Sequence, residues 1–236
     1  MLAIFKREMK SYFTSPIGYV FIAMFLAVNA FLFSNMTYVG RMTTDVGGYF
    51  NFIIFVFIVI APMLTMKLFS EERRTRTEQL LLTSPVSLFG MVFGKFLAAF
   101  TMFGGTFIAG NIVNFAILYG YSTPNTAVIL SNSLGVLLIG AAFIAIGVFV
   151  SALTENQMVA AVGTMAIVLF MLFIQIVNSY IDSYAVRVVL SWISVFSRFA
   201  NFGYGIIDLA ALLYYLSICF VFLFLTVRLY EKRRWS

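Results

Sequence analysis

Apolar residues run through this chain in stretches longer than a folded core needs, and the polar positions between them come in short clusters. From Phe96 to Thr154 no charge occurs, and another uncharged window lies between Lys10 and Arg41. A helix crossing hydrocarbon needs about 20 apolar residues, and a charge at its centre costs about 2.5 to 3.5 kcal/mol on insertion scales. The pattern therefore predicts six spans, at about residues 17–36, 49–66, 92–118, 127–150, 158–178 and 209–227. The 96–154 window holds two of them, because YGYSTPNT, Tyr119 to Thr126, supplies the Gly, Ser, Pro and Asn of a turn at its middle. The fold class is all-α, a polytopic membrane protein forming a single domain over residues 1–236.

Three segments outside the spans have patterns of their own. In residues 1–15, Leu2, Phe5, Met9, Tyr12 and Phe13 recur at helical spacing, while Lys6, Arg7 and Lys10 take the other side. That is the signature of a helix lying flat in the headgroups, with Phe5, Lys6, Arg7 and Lys10 as its interfacial residues. Ser15 and Pro16 then break it, since proline disfavours helix at the residue before it; the alternative is a helix that simply extends the first span. Residues 179–207 cannot cross, because Arg187 and Arg198 interrupt them. Val186, Leu190, Ile193 and Phe196 predict an external amphipathic helix or re-entrant pair there, ended by the glycines of NFGYGIID.

The third segment, 70–84, lies in SEERRTRTEQLLLTSPV, Ser70 to Val86. Six charges fall within Glu71 to Gln79. Thr75 followed by Glu78 fits a capping box, Leu80 to Leu82 offer an apolar side, Pro85 ends the element, and Ser87 can cap the next span. The pattern predicts a helix of two or three turns with its charged groups facing the aqueous phase; a solvated loop helix, charged only for topology, is the blander reading.

Composition agrees with the spans: 62% of the 236 residues are hydrophobic and 10% charged, with a mean hydropathy of +1.02. Twelve of the 15 Lys and Arg fall in the N-terminus, the segment between spans two and three and the C-terminal tail, against Arg41, Arg187 and Arg198 on the other face. Cytoplasmic loops keep Lys and Arg, so both termini are expected in the cytoplasm. The net charge of +6 is a topology signal and not a nucleic-acid footprint. A signal peptide cleaved near Val28 and Ala30 competes with an uncleaved first span, but the apolar run continues past Ala30. The one cysteine, Cys219, implies no disulfide.

Chemistry is sparse. With no His, His-based zinc sites and Ser-His proteolysis are excluded. Asp45, Asp182 and Asp208 sit at external edges, so no aspartate pair lies at mid-membrane depth. GMVFGKF, Gly90 to Phe96, mimics a phosphate loop but has three residues between its glycines and Phe96 in place of Ser or Thr; Gly90 and Gly94 suit close helix packing. The spans carry neutral polar groups, Asn29, Asn51, Asn111, Asn114, Asn132 and Gln175, instead of the ionisable residues of ion-coupled carriers.

The segment LFSEERRTRTEQLLLTSPVS followed by GKFLAA resembles the stretch after the second span of ABC-2 type transporter permeases, the membrane-spanning subunits of ABC transporters. The start, FKREMKSYFTSPIGYVF, and the end, VFSRFANFGYGIIDLAALLYYLSICFVFLFLTVRLYEKRRW, are similar to the gliding-motility branch of that family. Arg76 stands where many members have Gly. The resemblance implies a single ABC-2 type transmembrane domain whose segment 70–84 is a coupling helix in a cleft of a separate ATP-hydrolysing subunit. Glu71, Glu72, Arg73, Arg74, Arg76, Thr77 and Glu78 would then make that contact. It further implies a chain that is not itself an enzyme and binds no cofactor, with ATP and magnesium held by the partner ATPase. The implied partners are two copies of the ABC ATP-binding subunit, a second permease copy or paralogue, an auxiliary membrane protein with an external domain, and the lipid bilayer. The implied setting is the prokaryotic cytoplasmic cell membrane. The function so implied is coupling of ATP hydrolysis to export; the alternative is a mechanotransmitting scaffold that drives an external protein and moves no substrate. An ATPase-independent channel or carrier is the third class.

Overall fold

The structure, a computed structural model, describes residues 1–39, 46–79, 87–181 and 183–235. Arg41, Asp45 and Asp182 lie outside the described residues, as do Leu80 to Leu82 and Pro85.

The N-terminal helix α1, Leu2–Thr14, stops where expected: Ser15 is extended because Pro16 follows, and it caps α2, Pro16–Phe33, by accepting from the Ile17 amide. The corner is tight enough that a Cβ on Gly18 would overlap the Tyr12 carbonyl. A π-helical stretch, Ser34–Val39, prolongs α2. Helix α3, Gly47–Thr65, contains Pro62 one turn before its end, and a turn at residues 66–69 leads into the short α4, Ser70–Arg74.

Helix α5, Leu88–Tyr121, is capped by Ser87, whose Oγ accepts from the Gly90 amide at 3.2 Å. Its 34 residues span about 51 Å, so it reaches beyond both ends of the expected 92–118. The predicted turn is residues 122–125, after which Asn125 caps α6, Thr126–Leu153. Asn156 likewise caps α7, Gln157–Ser179. The segment before the last span is two short helices, α8 Tyr184–Ile193 and α9 Val195–Gly203, and the last span is α10, Leu209–Trp235.

The described residues form an all-helical structure with six helices long and apolar enough to cross a membrane: Pro16–Thr37, Gly47–Arg74, Leu88–Tyr121, Thr126–Leu153, Gln157–Asn178 and Leu209–Arg234. Helix α6 is the axis of the bundle, with α3, α5, α7, α9 and α10 packed around it. Its small residues permit this: Gly147 sits against Thr65 of α3, where an added Cβ would come within 2.8 Å of the Thr65 Cβ. Phe57, Phe103 and Phe143 fill the space between α3, α5 and α6 edge to face. The outer helices α2, α7 and α10 keep most of their surface open, as faces turned to lipid must be.

The pair α8 and α9 differs from the expected face in one respect. Ser194 breaks it and caps α9 through the Ser197 amide, and the break shifts the phase. The buried set on α9 is Val195, Phe199 and Phe202, while Val186 on α8 is exposed. Tyr215 of α10 holds the start of α9 by donating to the Val195 carbonyl at 2.7 Å.

Candidate functional site

The most elaborate polar construction gathers at the end of the bundle that carries the basic residues, around α4. It begins with the turn between α3 and α4, whose backbone would otherwise strand amides and carbonyls away from water. The Ser151 hydroxyl of α6 accepts from the amides of Phe69 and Ser70, at 3.1 and 3.2 Å, and donates to the Met66 carbonyl at 3.2 Å. Ser70 bonds back to the same carbonyl. From the other side Tyr12 of α1 donates to the Leu64 carbonyl at 2.7 Å, and Lys67 reaches Ser15 at 3.0 Å.

Lys95 enters this turn from α5. Its side chain is 1% exposed and donates to the Leu68 carbonyl at 2.6 Å, while its ammonium lies 4.9 Å from the centre of the Phe69 ring. Burying an ammonium costs several kcal/mol unless it is paired. Here two carboxylates supply the pairing: Glu8 of α1 and Glu72 of α4, each 3.0 Å away. Arg7 then bonds to Glu8 at 2.6 Å and also to Glu72. Two cations and two anions thus form a neutral knot among α1, α4 and α5. Burial pushes the Glu8 carboxyl upward, but the charge of Lys95 and the hydrogen bonds from Arg7 and Lys95 outweigh it and hold the group below its ordinary value. Helix α1 approaches α5 closely at Gly94, where an added Cβ would come within 3.2 Å of the Met1 carbonyl oxygen.

Two more ties run from α4 to the rest of the bundle. Arg73 pairs with Glu155 at 3.0 Å and donates to the Leu153 carbonyl at 2.8 Å. Beyond α4, Glu78 pairs with Arg233 of α10 at 3.1 Å, and Arg233 also donates to the Ala152 carbonyl at 2.7 Å. The ring of Tyr230 packs between Phe69 and the Arg233 guanidinium.

The expected contact residues therefore divide. Glu72, Arg73 and Glu78 are turned inward and spent on these ties, whereas Glu71, Arg74, Arg76 and Thr77 are exposed. On α1, Lys6, Arg7 and Lys10 are exposed, and Phe5 is partly buried against the core. A polar cleft of about 310 Å³ separates α1 from the α4 segment, with Arg7, Ser11, Lys67, Glu71 and Thr77 on its walls.

The capping box does not form. Thr75 has helical backbone angles and closes α4, its hydroxyl donating back to the Glu71 carbonyl at 2.9 Å. Arg76 follows with φ 58°, a left-handed conformation that disfavours any residue with a Cβ. Glu78, released from a cap, finds Arg233.

Sequence reasoning missed Glu8, Lys95, Ser151 and Arg233 as parts of this construction. Two weak signals pointed to it. Glu8 is the one acid among Lys6, Arg7 and Lys10, and Lys95 is a lone charge at the mouth of a long uncharged window, where an ionisable group needs a partner. A second polar set lies far along α5: Tyr49 donates to Asn111, and Asn114 to Asn29, all four buried among α2, α3 and α5. Asn132 bonds within its own helix, to the Val128 carbonyl, and Asn51 is exposed.

Six helices long and apolar enough to cross a membrane, with a braced polar platform at one end, define a multi-pass membrane protein. The chain belongs to the ABC-2 family of transporter proteins, whose model matches residues 2–235. It is a multi-pass membrane protein of the permease type, the membrane subunit and not the ATPase, and the family implies an ABC ATP-binding subunit as its partner. Among curated proteins none matches the chain.

Proposed function

We propose that the chain is the permease half of an ATP-driven exporter of the gliding-motility branch, and that α4 with the exposed residues after it is the surface on which the ATPase pushes. One observation carries the reading: the segment is tied to α1, α5, α6 and α10 by ion pairs and hydrogen bonds. A push on a free loop is absorbed by the loop, whereas a push on a braced segment is shared among the helices it is bonded to. Glu71, Arg74, Arg76 and Thr77 supply the docking face, joined by Lys6 and Lys10 of α1. The inward Glu72, Arg73 and Glu78 transmit the displacement. ATP and magnesium belong to the partner, present in two copies beneath two permease chains. Both termini lie in the cytoplasm of the cell whose plasma membrane holds the complex, and the external helices α8 and α9 are the surface for an auxiliary protein.

The test is charge reversal of the exposed pair, Glu71→Lys with Arg74→Glu. The ATPase should no longer co-purify, while membrane insertion and thermal stability of the permease stay unchanged, because neither residue takes part in the internal ties. Undiminished assembly and activity would remove the docking face from α4.

A further inference from the structure

On the outside of the bundle, where α5, α6 and α10 meet, runs a furrow of about 540 Å³ with no polar atoms on its walls. Phe89, Phe93 and Phe100 of α5 form one wall, Phe220 and Phe224 of α10 the other, and Leu137 of α6 lies at its floor. The walls are stiff: Phe89 stacks on Phe93 with centroids 5.5 Å apart, and Phe220 on Phe224 at 6.1 Å.

Its dimensions select what can fill it. From Phe89 to Phe100 the helix rises about 16 Å, close to half of a hydrocarbon core about 30 Å thick. A furrow of about 540 Å³ along about 16 Å is long and shallow. A single hydrocarbon chain within one leaflet matches this length and the wholly apolar lining. The furrow opens at the end of the bundle that carries the basic residues. There Arg228 continues the row of Leu216, Phe220 and Phe224 along α10, and its guanidinium folds back to 5.0 Å from the Phe224 ring. Lys232 is exposed one turn further on. The carboxylate of Glu231 pairs with Arg228 at 2.7 Å, but both groups are largely exposed, and such a pair contributes little. A phosphate competes well for the same guanidinium fork.

We propose that this furrow seats one acyl chain of an anionic phospholipid from the leaflet on the basic side, with Arg228 taking its phosphate. The lipid would lie in the cleft between α5 and α10, helices that also touch each other directly.

Fluorescence quenching tests this. In the whole chain with Trp192→Phe and Trp235→Phe, a Phe100→Trp reporter sits at the deep end of the furrow, and a Phe170→Trp reporter sits on the open face of α7. Each is placed in phosphatidylcholine vesicles containing about one-tenth of either phosphatidylglycerol or phosphatidylcholine with brominated chains. The brominated phosphatidylglycerol should quench the furrow reporter several-fold more than the brominated phosphatidylcholine does, and the α7 reporter equally with both. Arg228→Gln should lower the furrow's preference about fivefold, the effect of one basic residue at a lipid surface. Equal quenching by the two lipids at Phe100→Trp, shielding from both as a second copy would produce, or indifference to Arg228→Gln would each overturn the proposal. No ATPase is needed, so its failure leaves the coupling reading standing.

Discussion

Helix α5 carries a polar knot toward each end, and the two are built from different chemistry. At one end Lys95 binds Glu8 and Glu72; about 24 to 28 Å further along, Asn111 and Asn114 bind Tyr49 and Asn29. Each knot fastens α5 to two other helices. The first uses full charges beside the aqueous edge, where Arg7 remains half-exposed and each cation has a carboxylate. The second lies among apolar spans and uses only amides and a phenol. A stranded charge there would cost far more than a stranded amide. Depth in the bilayer thus selects the type of fastener, and the two should fail differently when cut.

The largest effect is expected from Lys95→Met, which leaves Glu8 and Glu72 crowded with only Arg7 to balance them. Removing one partner of a buried pair costs about 3 to 5 kcal/mol, and the midpoint of thermal unfolding in detergent should fall accordingly. Adding Glu8→Gln should restore part of the loss, which a simple packing defect at position 95 would not allow.

Acid should open the same knot less completely. Because the Glu8 carboxyl is held below its ordinary value of 4.5, its contribution is present above that value and disappears as pH falls through the lower folded value. Spin labels at Lys6 and Arg74 should report a broadening distance between α1 and α4 as pH drops below 4.5. The Asn knot has no group that titrates in that range, so labels spanning α2 and α5 should not respond.

A smaller change, of opposite sign, is expected from Arg76→Gly. Relief of the left-handed backbone is worth about 1 kcal/mol, partly offset by glycine's greater freedom when unfolded. The midpoint should rise slightly. A fall would mean that the Arg76 side chain contributes to the fold.

The smallest effect should come from Asn114→Leu. A hydrogen bond between membrane helices is worth about 0.6 kcal/mol on average, so this change should cost a small fraction of what Lys95→Met does. Equal losses would abolish the contrast between the knots.

The spans were legible because hydrocarbon imposes a length and forbids charge, constraints that act residue by residue along the chain. The break at Ser15 and Pro16 and the turn after Tyr121 were legible for the same local reason. The start of α5 was obscured by Lys95, which reads as a loop residue until its carboxylates are in view. Thr75 and Glu78 satisfy the local rule for a helix start, yet Thr75 closes the preceding helix because the turn is fixed by Ser151, and Glu78 is claimed by Arg233. Ser151 lies 82 residues from Phe69 in the turn it fixes and Arg233 lies 155 from Glu78, beyond any spacing rule. The outward set of Glu71, Arg74, Arg76 and Thr77 could be found from sequence only together with the inward set, since exposure is decided by what the neighbours already hold.

The order of residues in the Lys95 knot has a consequence for how the molecule is made. Glu8 and Glu72 leave the ribosome before Lys95 does, so these two carboxylates have no buried ammonium between them until the third span begins to emerge. The clasp can close only once the start of the third span has been made, with three of the six spans still to come.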